Sequence, residues 1–156
     1  MAGMLGCSPW VDGKAGIGVD EAGNLLLVLA WCGTGPNVAV VYHKRESGET
    51  VDDARYEASK PQGRYAAFRL DAPSGGWKAT QGPLELDPAI TYTAAGGNGD
   101  TVTTTGSVDF GVGDAAKLKP GLVLVQQYDD HKEQVVDVVI PVEQFQRSAQ
   151  RPENCK

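Results

Sequence analysis

The chain predicts an all-β fold, an antiparallel β-sandwich of immunoglobulin-like type closed by a short C-terminal helix. Three observations point there. Eight to ten short apolar or alternating segments follow one another at regular spacing, the pattern of sandwiches and barrels. Between them lie turns drawn from 20 glycines and 9 prolines, too many for a helical bundle. Hydrophobic residues make 41% of 156 residues, enough for one buried core and too many for a disordered chain.

Each element has its own warrant. Residues 15–20 read as a strand with Ile17 and Val19 on one face. Residues 21–24, "EAGN", form a turn in which Gly23 takes positive φ. Residues 25–32, "LLLVLAWC", return as a strand apolar on both faces, which places it centrally, covered on each side. Residues 38–43 give a third strand, and the polar stretch 44–64 reads as a long loop. Strands follow at 65–71, 77–80 and 89–95, and "GGNGD" signals a hairpin turn. Residues 101–112 read as one long returning strand, "GDAAKLKPG" as a helical or 3₁₀ turn, and 122–128 with 133–140 as a hairpin. Proline before "VEQFQRSAQR", with Val142 and Phe145 three apart, predicts the closing helix. The expected division is a tether or leader remnant over residues 1–14 and one sandwich domain over 15–156.

Charge and length exclude several classes. The net charge of −6 repels a phosphate backbone. Lys44-Arg45 is followed by Glu46 and Glu49, as in a solvated loop, so no nucleic-acid partner is expected. The longest apolar run, residues 25–32, is far short of the ~20 residues of a membrane helix. No basic n-region or apolar stretch precedes Cys7.

Three cysteines remain, Cys7, Cys32 and Cys155, without C-x-x-C spacing. Cys155 ends a polar tail, where a disulfide to Cys32 ties the tail to the most apolar segment. That leaves Cys7 for another use, such as a lipid anchor. Pairing Cys7 with either of the others, with one free thiol, closes the count equally well.

Catalytic motifs are sparse. There is no G-x-S-x-G elbow, and "GIGVDE" lacks the third glycine of a dinucleotide fingerprint. "GGNGD" occurs once and is no calcium repeat, and "DGKAGIGVDEAG" lacks the acid spacing of an EF-hand. Asp129, Asp130 and His131 carry ligand-type side chains, but no second cluster completes a metal set. The expectation is no catalytic residue, no metal and no cofactor. Trp77, after Gly75-Gly76, falls at a loop tip or a strand start, and is either a candidate partner contact or a cap on one end of the sandwich.

Several stretches resemble, together, small uncharacterised secreted proteins and lipoproteins of high-GC actinobacteria. They are "GCSPW", "GIGVDEAGNLLLVLAWC", "DAAKLKPGLVLV" and "IPVEQFQRSAQRPENC". The resemblance implies a secreted or membrane-anchored envelope location and a β-sandwich. It implies no activity. A lipobox has leucine three residues before its cysteine; Met4 and Leu5 depart from that pattern, and only Gly6 fits. The function expected is a non-catalytic envelope module, binding or structural, with a protein or carbohydrate partner and a tether at Cys7. Two alternatives stand beside it: a phage or virion structural sandwich, and a small metal-dependent hydrolase using Asp129, Asp130 and His131.

Overall fold

The computed structural model describes residues 10–33, 35–59, 63–98 and 103–151. Its strands are, in chain order, β1 (Trp10–Val11), β2 (Lys14–Val19), β3 (Leu25–Ala30), β4 (Val38–Lys44), β5 (Thr50–Ala58) and β6 (Tyr65–Arg69). They continue with β7 (Trp77–Gln81), β8 (Tyr92–Gly97), β9 (Thr103–Thr104), β10 (Val108–Phe110), β11 (Leu122–Asp129) and β12 (Gln134–Pro141). A 3₁₀ turn covers Val112–Lys117, and one helix, α1 (Val142–Ala149), follows β12. Sheet I has the order β1-β9-β8-β4-β5-β7, with β10 also paired to β8. Sheet II has the order β12-β11-β2-β3-β6. This is an all-β, two-sheet architecture with a short C-terminal helix.

Burial follows the strand period of two. Ala15, Ile17 and Val19 of β2, Leu27 and Leu29 of β3, Val41 of β4, Tyr56 of β5 and Phe68 of β6 meet between the sheets. Strand β3 is apolar on both faces because both are covered. Its other face, Val28 and Ala30, joins Val123, Val125, Ile140, Phe145 and Ala149 in a second core beneath α1. Gly16 lies beneath Phe145 of the helix. A Cβ there would overlap Val123 Cγ1 and stand 3.2 Å from Phe145 Cε1. Pro141, with φ −62°, occupies the N-cap and sets the chain's entry into the helix. At the far end Gln150 Nε2 donates to Arg64 O at 3.0 Å.

Several expectations need correction. Residues 44–64 are not one long loop. The chain turns over 45–49, where Arg45 N–H donates to Glu49 O at 2.9 Å, and returns as the nine-residue β5. Its inward residues are Ala54, Tyr56 and Ala58, two of them small, so the alternation is faint beside the charges of Asp53, Arg55 and Glu57. The long strand at 101–112 is two short ones, β9 and β10. Between them Thr105 turns its hydroxyl inward to accept from Gly96 N–H at 2.9 Å. Before residue 15, Trp10 and Val11 pair with Thr103 and Thr104.

The expected disulfide reaches beyond the described residues. Cys32 is the one cysteine among the described residues, 9% exposed at the end of β3, and no Sγ–Sγ pair lies among those residues. Its sulfur is bonded and does not titrate as a thiol. Cys7 and Cys155, the expected lipid anchor and the expected partner of Cys32, both lie outside the described residues. Among the described residues, buried Asp12 orders the backbone around Cys32. Its carboxylate accepts from Cys32 N–H at 3.1 Å and Gly33 N–H at 3.1 Å.

Candidate functional site

The two sheets treat their outer faces differently. Helix α1 covers that of sheet II. Among the described residues, no helix or strand covers that of sheet I. The outward side chains there run in rows set by the strand register. Arg55 lies beside Val40, and Val40 beside Ala95. One row along, Glu57 lies beside Val38 and Val38 beside Gly97. At the other end Tyr42 neighbours Thr93, which neighbours Asp109.

The side chains of β8 shrink along this face from Thr93 to Ala95 to Gly97. That leaves a trough of about 390 Å³ between β4 and the segment 105–107. Val38, Val40 and Ala95 give it an apolar floor. Tyr42 and Arg55 stand along one side, and Asn98, Thr105 and Ser107 along the other. Arg55 Nε donates to Glu57 Oε2 at 3.1 Å, which holds the guanidinium over the sheet while 43% of the Arg55 side chain remains exposed. Thr80 Oγ1 donates to the same carboxylate oxygen at 3.2 Å. An apolar floor with a few placed polar groups is the chemistry of a small-ligand site, and the volume sits near the low end of the ~300–1,000 Å³ range of such sites.

A second constellation lies at the end of the sandwich. The pairing of β4 with β5 slips between Val41 and Tyr42, leaving Asp53 without a partner on β4. Such a bulge re-aims a side chain, and here the Asp53 carboxylate meets His43. Nδ1 and Oδ2 are 2.7 Å apart, and both side chains are mostly covered. The His43 ring stands edge-on to Tyr92, centroids 5.8 Å apart. A His–Asp pair is the orienting half of a nucleophilic site. Among the described residues no hydroxyl or thiol is hydrogen-bonded to His43. Sequence reasoning missed the pair because the ten-residue separation carries no motif; the bulge that creates it shows only in the register.

The other candidates land elsewhere. Trp77 is not at a loop tip: it is 5% exposed and stacks on Phe68, ring centroids 4.8 Å apart and 18° from parallel. As a buried end-cap of the core it offers no contact surface, which corrects its assignment as a partner contact. Asp129 closes the β11–β12 turn by accepting from His131 N–H at 2.9 Å and Lys132 N–H at 3.2 Å. Asp130 and His131 are exposed beside it. A further cavity of about 410 Å³ is bordered by Asp109, Asp114 and Asp137. Each of these carboxylates already accepts a hydrogen bond, from Thr93, Gly111 N–H and Gln126 respectively. No protein-family model, no curated protein and no solved structure matches this chain.

Proposed function

We propose that this chain is a non-catalytic binding module of the cell envelope or the secreted space, and that it holds a neutral glycan in the trough on sheet I. The observation that supports this most is the trough itself. It is an uncovered sheet face whose floor is apolar, with one aromatic ring, one guanidinium and an amide-hydroxyl edge around it. Sugar rings present an apolar face and a belt of hydroxyls, which matches Tyr42 on one side and Arg55, Asn98 and Ser107 around it. The net charge of −6 favours a neutral ligand over an anionic one.

The envelope location belongs to the same reading and is supported by the resemblance to actinobacterial secreted proteins. So does a tether at Cys7, which lies outside the described residues. Cys7 precedes β1 by three residues, a reach of at most ~11 Å. A lipid there would hold the sandwich directly at the membrane surface, with no spacer. The immunoglobulin-like character of the sandwich is also part of the proposal. Its support is two largely antiparallel sheets packed face to face, with the chain crossing between them at β1–β2, β3–β4, β5–β6, β6–β7 and β10–β11.

The test is calorimetric titration of cell-wall oligosaccharides into the wild type, Tyr42→Ala and Arg55→Ala. The expected result is binding by the wild type and a loss of at least about tenfold in each variant, ~1.4 kcal/mol. Equal binding by all three proteins, with unchanged circular dichroism, removes the trough from the reading.

A further inference from the structure

We infer that β12 is a self-pairing edge, through which two copies of this chain join sheet II into one continuous sheet across a two-fold axis at Asp137. Four observations lead there. First, β12 pairs only with β11 among the described residues, so its other edge presents a row of open backbone N–H and C=O groups. Helix α1, which follows it, crosses the outer face of sheet II and ends at Arg64, away from this edge.

Second, this edge lacks most of the usual protections, Asp137 and the terminal Pro141 apart. It runs eight residues with unbroken register against β11, without a bulge, and carries no lysine or arginine. The other outer strands differ: β1 has two residues, β6 has five, and β7 has five with a register shift.

Third, among the described residues, the large hydrophobic side chains that stand exposed are gathered on one face of this hairpin. Tyr128 is 61% exposed, Val135 63% and Val139 42%. Tyr128 lies directly beside Val135, and Val139 beside Leu124.

Fourth, the sequence of the edge is its own mirror. Residues 135–139 read V-V-D-V-V. Antiparallel pairing across a two-fold keeps inner face beside inner face only when the axis passes through a residue pair. Centred on Asp137, it sets Val135 against Val139 of the second copy and Val136 against Val138. The two exposed valines then cover each other, in an apolar row that runs Tyr128, Val135, then Val139 and Leu124 of the second copy. The same register keeps Pro141, which has no N–H to give, at the margin of the pairing. One feature opposes it: Asp137 faces its own copy, and like charges directly opposite are unfavourable. The Gln126 amide, donating to Asp137 Oδ1 at 2.9 Å, partly offsets that charge.

The experiment is sedimentation velocity on the full chain over a concentration series, with two double variants at the exposed valines. The wild type is expected to shift from monomer to dimer as concentration rises. Val135→Lys with Val139→Lys sets lysine against lysine and is expected to stay monomeric, with an unchanged circular dichroism spectrum. Val135→Lys with Val139→Glu sets lysine against glutamate twice and is expected to restore the dimer. Asp137→Asn is expected to tighten the wild-type dimer. A wild type that stays monomeric throughout overturns the inference, as does a dimer that survives the double lysine. A lysine-glutamate variant that fails to dimerise overturns the register centred on Asp137.

Discussion

Removing the Phe145 ring should release α1 while leaving the sandwich folded. Phe145 is fully buried and packs with Val28, Ala30, Val123, Val125 and Ile140 in the second core. Truncating such a ring to alanine costs about 3–5 kcal/mol. An eight-residue helix is shorter than the ~12–15 residues that are marginal on their own in water. It is therefore held by docking, and Phe145 with Ala149 supplies its buried side. A domain of this kind has ~5–15 kcal/mol to lose, so Phe145→Ala should remain folded with a lower midpoint. Because the helix side of sheet II is then already exposed in the native state, the denaturant slope should fall as well. Urea unfolding followed by fluorescence reads the main core, since Trp31 and Trp77 are buried there. Amide exchange reads the helix. The reasoning predicts lost protection over 145–150 with protection kept in β2 and β3. A loss of less than about 1 kcal/mol, with slope and helix protection unchanged, would refute it.

Three further outcomes follow from the same structure. Asp12→Ala leaves the N–H groups of Cys32 and Gly33 without their buried acceptor and should cost about 2–3 kcal/mol, read as a lower urea midpoint. Tyr56 donates to Leu70 O at 2.6 Å, and burial, with Asp71 nearby, raises its pKa well above the usual tyrosine value. Its protonated form is thus favoured by folding. That stability is complete below about pH 10, the unfolded value, and is lost as pH rises beyond it toward the higher folded value. Tyr56→Phe should flatten this alkaline loss while costing about 1–3 kcal/mol at neutral pH through the orphaned carbonyl, which a denaturation series across pH will show. Gln126 acts as a side-chain substitute for a neighbouring strand. It accepts from Asp109 N–H at 2.7 Å and donates to Asp109 O at 3.0 Å, closing the edge of β10. Gln126→Ala should cost about 1 kcal/mol and speed exchange of the Asp109 amide, with Val108 and Phe110 still protected by β8.

The parts of this fold that could be read from the sequence are those where burial changes with a clear period. Residues 25–32 read as a strand covered on both faces, and over β3 the structure supplies both covers, the other sheet and α1. The turn at Gly23, with φ +84°, and the helix after Pro141 were equally plain. Strand β5 was hidden because Ala54 and Ala58 fill inward positions usually marked by larger residues. At Trp77 the sequence leaves contact and end-cap readings side by side, because Gly75 and Gly76 mark a loop while the core begins at the very next residue. The trough was illegible for a different reason. It is made by what is missing from Ala95 and Gly97, and a small residue looks the same in sequence whether it faces a neighbour or empty space.

That ambiguity resolves along "AAGG", residues 94–97, and it gives the sharpest test of the trough. Ala94 and Gly96 face inward. A Cβ on Gly96 would stand 3.1 Å from Pro36 Cβ and 3.3 Å from Leu29 Cδ2, so smallness there serves packing. Ala95 faces outward beside Val40, onto the trough floor. There smallness serves no packing between the sheets, only open space. Gly96→Ala should therefore destabilise by about 1–3 kcal/mol, as overpacking does, and leave ligand binding unchanged in the fraction that folds. Ala95→Leu should leave stability within about 0.5 kcal/mol, as surface changes do, and fill the trough. Thermal unfolding and glycan titration on both variants separate the roles. If Ala95→Leu bound as the wild type does, the open space on sheet I would be a by-product of strand composition, and the ligand would have to sit elsewhere.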